Sequence, residues 1–152
     1  MEFVLTAVAW VRGGRMNPHD DGWRNVRARI ELAPDLADEA LHGLDAFSHA
    51  EVSFIFHRLS ADDVICDARH PRDRRDWPRV GVFAQRARNR PNRLGVSICR
   101  ILSVDGRGFE VEGLDAIDGS PVVDIKPVIS GFLPRSPVRE PDWAREIMKD
   151  YW

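Results

Sequence analysis

Three clusters of polar side chains hold most of the chemistry this sequence can offer. In the first, Asp45, Ser48, His49 and His57 bracket the aromatic run AEVSFIFH. In an extended chain His49 and His57 fall on one side, either as polar anchors on a cavity wall or as ordinary hydrogen-bonded side chains at strand ends. Eight residues of strand put them roughly 26 Å apart at about 3.3 Å per residue, so they cannot share a metal ion. The second cluster is GVFAQR followed by NRPNRLG. A short apolar segment delivers Arg86, and Arg90, Asn92 and Arg93 follow around a proline turn. Guanidinium forks beside free backbone N–H groups suit a carboxylate or a phosphate. A solvated turn with exposed arginines accounts for the same residues. The third cluster, GLDAIDGSPVVDIKP, gathers Asp115, Asp118, Asp124 and Lys126. Asp124 and Lys126 share strand parity and can pair across one face, and Asp118-Gly119 can be a plain hairpin turn.

The elements that position these clusters are mostly strands. Residues 3–11 are β-branched and aromatic, which predicts a first strand rather than a signal peptide, since Glu2 precedes it and no small-residue cleavage site follows. Residues 24–32 alternate, with Val26, Ala28, Ile30 and Leu32 on one face, and residues 50–57 do the same through Val52, Phe54 and Phe56. Further strands are predicted at 81–84, 95–104, 108–114 and 121–129, with turns at Asp105-Gly106 and Asp118-Gly119. Helical signals mark residues 34–42, after Pro34 and Asp35 and before Gly43. The last segment, about 141–151, places Trp143, Ile147 and Tyr151 four apart on one helical face. Residues 60–79 are charged and irregular and predict a long loop. The chain lacks repeated β-helix-β spacing, and no GxGxxG follows a strand, so a doubly wound nucleotide-binding sheet is not expected. The prediction is a mainly β, single-domain antiparallel barrel over residues 1–152 with one or two short helices.

Composition fits that picture. Apolar residues are 43% and charged residues 30% of the chain, ordinary for a folded domain of 152 residues. The longest apolar stretches are too short to span a membrane. Cys66 and Cys99 lack CxxC spacing, so neither a disulfide nor a zinc site is expected, and the cytoplasm is the expected compartment. Net charge is only −2, yet residues 69–93 hold nine arginines against two aspartates. Such a stretch suits an anionic partner such as RNA, or forms a solvated loop.

The run GVFAQRARNRPNRLGVSICRIL, then GLDAIDGSPVVDIKP, preceded by GLDAFSHAEVSFIFH, resembles the TsaA-like (YaeB-like) family. That family carries GVFATRS, RPNPIG and DGTPVxDIKP in this order, with an FSH box before an aromatic strand, and the likeness spans residues 41–127. The resemblance implies a β-barrel that binds S-adenosylmethionine and methylates the exocyclic nitrogen of threonylcarbamoyladenosine in tRNA. It implies a homodimer with the cofactor near the subunit interface. Cofactor contacts would map to His57, Arg58, Leu59, Arg86, Val96, Glu112, Gly113, Leu114 and Asp115. Arg90, Asn92 and Arg93 would face RNA, and Asp115, Asp118 and Lys126 are the implied catalytic candidates.

Several positions depart from the family pattern. Asp20-Asp21-Gly22-Trp23 stands where an R-Q-P-G segment is usual, Val128 replaces the tyrosine after DIKP, and Arg93 replaces the second proline of RPNP. The further C-terminal domain of longer members is also not expected here. These changes bear on the acceptor more than on the fold. Methylation of a different acceptor, and a non-catalytic module binding the cofactor or RNA, are the competing readings.

Overall fold

The computed structural model describes the whole chain from Met1 to Trp152. Its strands are β1 (Ala9–Arg12), β2 (Arg27–Leu32), β3 (His49–Ile55), β4 (Ala68–Arg69), β5 (Val80–Gly81), β6 (Leu94–Val104), β7 (Gly108–Glu112) and β8 (Pro121–Pro127). Alternation decides which face of each strand turns inward. β2 buries Ala28, Ile30 and Leu32 while Arg27 and Glu31 face solvent, and β3 buries Ala50, Val52 and Phe54. Val11, Cys99, Phe109, Val111 and Val122 complete the same core from the other strands. Six strands close a barrel in the order β1-β2-β7-β6-β3-β8, every pair antiparallel. Closure removes the exposed edges that an open sheet of this size would leave. The β6–β7 connection turns at Asp105-Gly106 as expected: the Asp105 N–H donates to the Gly108 carbonyl at 2.9 Å. The remaining strands, β4 and β5, form a separate two-residue ladder beside the barrel.

The structure corrects several predicted boundaries. The first strand begins at Ala9 rather than residue 3, because ladder partners start there: Ala9 pairs with both Leu32 and Val122. Phe3, Val4 and Leu5 are exposed despite their β-forming character. The predicted helix at residues 34–42 is instead a pair of 3₁₀ turns, Asp38–Leu41 and Leu44–Ala46. Arg107 explains this, since its guanidinium takes the carbonyls of Leu36 at 2.7 Å and Ala33 at 2.8 Å, acceptors that an α-helix would need. Gly43, at φ +83°, breaks the segment. Residues 82–84 are a 3₁₀ turn, not strand. There the buried Gln85 amide donates to the Arg69 and Val80 carbonyls and fixes the turn against β4 and β5. The only α-helix, α1 (Asp142–Ile147), is shorter than the predicted 141–151.

Candidate functional site

Antiparallel pairing brings the motifs together. The last residue of β3, Ile55, lies opposite Leu94 at the start of β6, and Phe54 lies opposite Val122 near the start of β8. Three connections therefore leave one end of the barrel side by side: residues 56–59, residues 85–93 and residues 113–120. Phe56 donates its N–H to the Arg93 carbonyl at 2.9 Å, and the Arg93 guanidinium donates to the Leu59 carbonyl. Arg86 Nη2 donates to the Val96 carbonyl at 2.7 Å. His57 Nε2 sits against Gly119, 3.7 Å from where a Cβ there would stand. Burial first, and then the neighbouring Arg58 charge, hold the His57 imidazole below its ordinary range, which favours the neutral ring.

The 113–120 connection is held by specific bonds rather than by regular structure. Asp118 Oδ1 accepts the Gly13 N–H at 2.7 Å, and the Asp118 N–H donates to the Arg15 carbonyl at 2.8 Å. Leu114 is fully buried beneath it. Asp115 Oδ2 accepts a hydrogen bond from the Tyr151 hydroxyl, while its Oδ1 is buried without any partner. Arg86 and Asp115 both lie close enough to Tyr151 to act on its ionisation, which ties the second and third motifs to one locality.

Not every candidate joins this group. Glu112 lies on the barrel surface between Arg27, at 3.1 Å, and Arg100, at 2.7 Å. These two cations hold its carboxyl below the usual range, Arg100 first. With Gly113 it lines a shallow cavity of about 270 Å³, together with Arg24, His49, Arg100 and Trp152. Lys126 pairs with Asp124, as strand parity predicted, but it lies four residues along β8 from the Val122 that faces Phe54. Asp124 lines a different cavity of about 400 Å³, walled by Leu36, Leu41, Leu44 and Phe47. No group of three or more His, Cys, Asp or Glu side chains is arranged to hold a metal ion, and no helix is long and apolar enough to cross a membrane.

The arginine stretch divides by partner. Arg72 binds Asp21 at 2.7 Å, Arg74 binds Asp76, and Arg79 reaches Asp67 at 4.0 Å. Arg86, Arg90 and Arg93 donate to the main-chain carbonyls of Val96, Gln85 and Leu59. Arg69, Arg75 and Arg88 form no ion pair and no side-chain hydrogen bond, which leaves them available to a phosphate. Asn92 is exceptional in its backbone: φ is +64°, and Arg93 beside it is at +51°. The proline turn is therefore a built feature and not a slack surface loop.

The C-terminal segment was missing from the candidate residues. Only the four-residue spacing of Trp143, Ile147 and Tyr151 hinted that it packs on something. Trp77 Nε1 donates to Glu146 Oε2 at 2.8 Å, and the N–H groups of Gly22 and Trp23 donate to the carbonyls of Asp150 and Tyr151. Arg15 stacks over the Trp23 ring at 4.3 Å and donates to the Asp21 carbonyl at 2.7 Å, so the loop under the tail is itself braced.

Residues 15–132 match the family model described as the tRNA-methyltransferase O N-terminal domain. A human tRNA (adenine(37)-N6)-methyltransferase is 34% identical over 116 residues, covering 76% of this chain and 25% of that protein. A protein of Archaeoglobus fulgidus named "Probable S-adenosyl-L-methionine-binding protein" is 37% identical over 113 residues, covering 74% of this chain and 29% of its own length. The crystal structure of TrmO from Pseudomonas aeruginosa superposes with a TM-score of 0.74 at 27% identity, over 93% of this chain and 61% of that one. The chain thus spans between a quarter and a third of the length of these two relatives and under two thirds of the solved structure.

Proposed function

Because the chain belongs to the tRNA-methyltransferase O N-terminal domain family, we propose that it is an S-adenosylmethionine-dependent methyltransferase acting on the N6 nitrogen of a threonylcarbamoyl-modified adenosine in tRNA. The observation that carries this reading is the meeting of His57, Arg86, Val96, Leu114, Asp115 and Asp118 at one end of the barrel, although they come from three separate stretches of sequence. The residues present fit an adenosyl cofactor. Half-buried Val96 supplies apolar contact and fully buried Leu114 supports the loop from beneath, Arg86 has donors beyond the one used on Val96, and the buried Asp115 Oδ1 is an acceptor in want of a donor.

When bound, the cofactor supplies a methyl group already activated on a sulfonium. The chain's task is then to hold and orient. Arg86, with the backbone around residues 57–59 and 113–115, fixes one reactant. Arg69, Arg75 and Arg88, aided by the Arg90–Arg93 turn, hold RNA phosphates, and Asn92 lies within that turn. An acceptor nitrogen that took up this methyl group would have a proton to shed. Asp115 or Asp118 is the carboxylate we assign to receive it. Lys126, already paired with Asp124, serves the strand that supports the site.

The reading takes residues 1–152 as one domain, working as a homodimer in the cytoplasm. Exposed Phe3, Leu5, Phe132 and Leu133 offer apolar surface for pairing. One observation favours a different acceptor. The loop at residues 20–23 presents Asp20 and Asp21 where the family usually carries R-Q-P-G, and Asp21 is locked to Arg72. Two measurements separate these readings. Calorimetry with S-adenosylmethionine, using ATP as control, tests the cofactor: Arg86→Ala should weaken binding about tenfold, and unchanged affinity would refute the site. Label transfer from the cofactor to tRNA tests the acceptor. Cofactor binding with no label on tRNA would move the acceptor to another molecule.

A further inference from the structure

The C-terminal segment reaches into the site from outside the residues that match the family. That match ends at residue 132, yet Tyr151 makes the only hydrogen bond to the Asp115 side chain. We propose that Tyr151 is a positioning residue: its hydroxyl fixes the Asp115 carboxylate through Oδ2 and so presents Oδ1 to an N–H or O–H donor of the bound adenosyl cofactor. This inference rests on the cofactor reading above.

Three observations carry it. First, the hydroxyl is placed by main chain and not by a loose tail. The Gly22 N–H donates to the Asp150 carbonyl at 2.9 Å and the Trp23 N–H to the Tyr151 carbonyl at 2.8 Å. The tyrosine ring also stands edge-on to Trp152, centroids 5.0 Å apart, and Trp77 pins Glu146 one turn earlier. Trp23 beneath is buried, with its indole N–H on the His19 carbonyl. A donor held this firmly can orient the group it touches.

Second, Asp115 Oδ1 is buried and unpartnered, a state that folded proteins avoid for charged oxygens. Arg86 keeps further N–H groups and Ser97 Oγ is a second buried group without a partner, yet neither bonds Oδ1. Cys99 Sγ–H points to the Ala50 carbonyl, Arg86 Nη2 to the Val96 carbonyl, and Arg72 to Asp21. Asp20, the other charged group near Tyr151, is an acceptor. No donor of the fold reaches Oδ1, and the amine and hydroxyl groups of an adenosyl cofactor are of the right class to do so. Third, Tyr151 stays a donor. Burial and then the Asp115 charge push its phenol well above the ordinary range, so it keeps its proton throughout the physiological span.

Tyr151→Phe deletes the hydroxyl and keeps the ring. Cofactor dissociation constants would be measured by calorimetry for the unaltered chain, Tyr151→Phe, Asp115→Asn and the double variant, with melting temperatures recorded without ligand. The expected result is a loss of about tenfold in affinity for Tyr151→Phe, a loss at least as large for Asp115→Asn, and a double variant no worse than Asp115→Asn alone. A lowered melting temperature with unchanged affinity would overturn the inference, because a purely structural clasp predicts that split. Losses that multiply in the double variant would overturn it as well. Failure of the unaltered chain to bind S-adenosylmethionine would instead bring down the proposed function, and this inference with it.

Discussion

Gly95 gives a sharp test of how the RPNRLG turn is built. It is the second residue of β6, directly opposite Phe54, which is 1% exposed and stands edge-on to Phe56 with centroids 5.2 Å apart. A Cβ at position 95 would lie 2.6 Å from Phe54 Cζ, 2.7 Å from Phe54 Cε2 and 3.0 Å from Phe56 Cζ. Ordinary carbon contacts lie at about 3.5–4.0 Å, so Gly95→Ala requires the Phe54 ring to retreat by about 1 Å into a filled core. Overpacking of this kind costs about 1–3 kcal/mol, and disturbing the aromatic pair adds about 0.5–1.5 kcal/mol. At about 2–4 °C per kcal/mol for a chain this long, the midpoint of thermal unfolding should fall by about 3–18 °C. Circular dichroism melts would measure it. The two shortest contacts are with Phe54 atoms that leucine lacks, so Gly95→Ala should cost much less in a Phe54→Leu background than in the unaltered chain. A Gly95→Ala melt matching the unaltered chain, or strictly additive losses, would show that the glycine is there for some reason other than the ring.

Other consequences can be checked separately. Burial first, and then the Asp115 charge, push the Cys99 thiol up to about 12, whereas Cys66 is exposed. Iodoacetamide at pH 8 should label Cys66 alone in the folded chain and both cysteines after denaturation, as read by mass spectrometry; equal labelling of Cys99 in the folded state would contradict its burial. Asp105 accepts two bonds from Arg29, at 2.6 and 2.8 Å, which with the Arg107 N–H hold its carboxyl below the usual range. A folded-state value below the unfolded one stabilises the fold above the unfolded value and is lost as pH drops through the folded one. Denaturant titrations should therefore find Asp105→Asn less stable at pH 7, with the gap closing below about pH 4. For tRNA binding, the slope of log K against log salt should not exceed about five, and a slope near eight would mean that the ion-paired arginines open on binding.

What the sequence disclosed follows from the range of the interactions involved. Ala28, Ile30 and Leu32 on one strand, and Ala50, Val52 and Phe54 on another, are legible because one face meets core and the other water. The Asp105-Gly106 hairpin is legible because a turn is local. Residues 3–5 have strand character, but pairing needs a partner, and the β1–β8 ladder begins only at Ala9 opposite Val122. The helical pattern at 34–42 failed for a similar reason: the group that diverts its carbonyls is Arg107, about seventy residues away. Tyr151 was visible only as an apolar helix position, since its hydroxyl partner lies 36 residues back in the chain. The three motifs were legible as motifs. Their convergence was not, because it depends on β3 lying between β6 and β8.

The arginines show how a charge count can mislead when read along the chain. Nine arginines in residues 69–93 would suggest about eight counterions released on binding RNA. In the fold, Arg72, Arg74 and Arg79 are matched by Asp21, Asp76 and Asp67, two of which lie outside that stretch. Arg86, Arg90 and Arg93 keep their charge but use donors on main-chain carbonyls of the loops around them. Arg15 and Arg107 do the same elsewhere. The demand behind this use is general. Loop carbonyls outside the barrel ladders still need donors, and a planar guanidinium can serve several at once where a lysine ammonium has no fixed fork. Much of the arginine content therefore braces connections that lack regular structure, and Arg86, Arg90 and Arg93 brace them around the end of the barrel where the motifs meet. Within residues 69–93, that leaves Arg69, Arg75 and Arg88 as the cations whose whole hydrogen-bonding capacity is open to a phosphate.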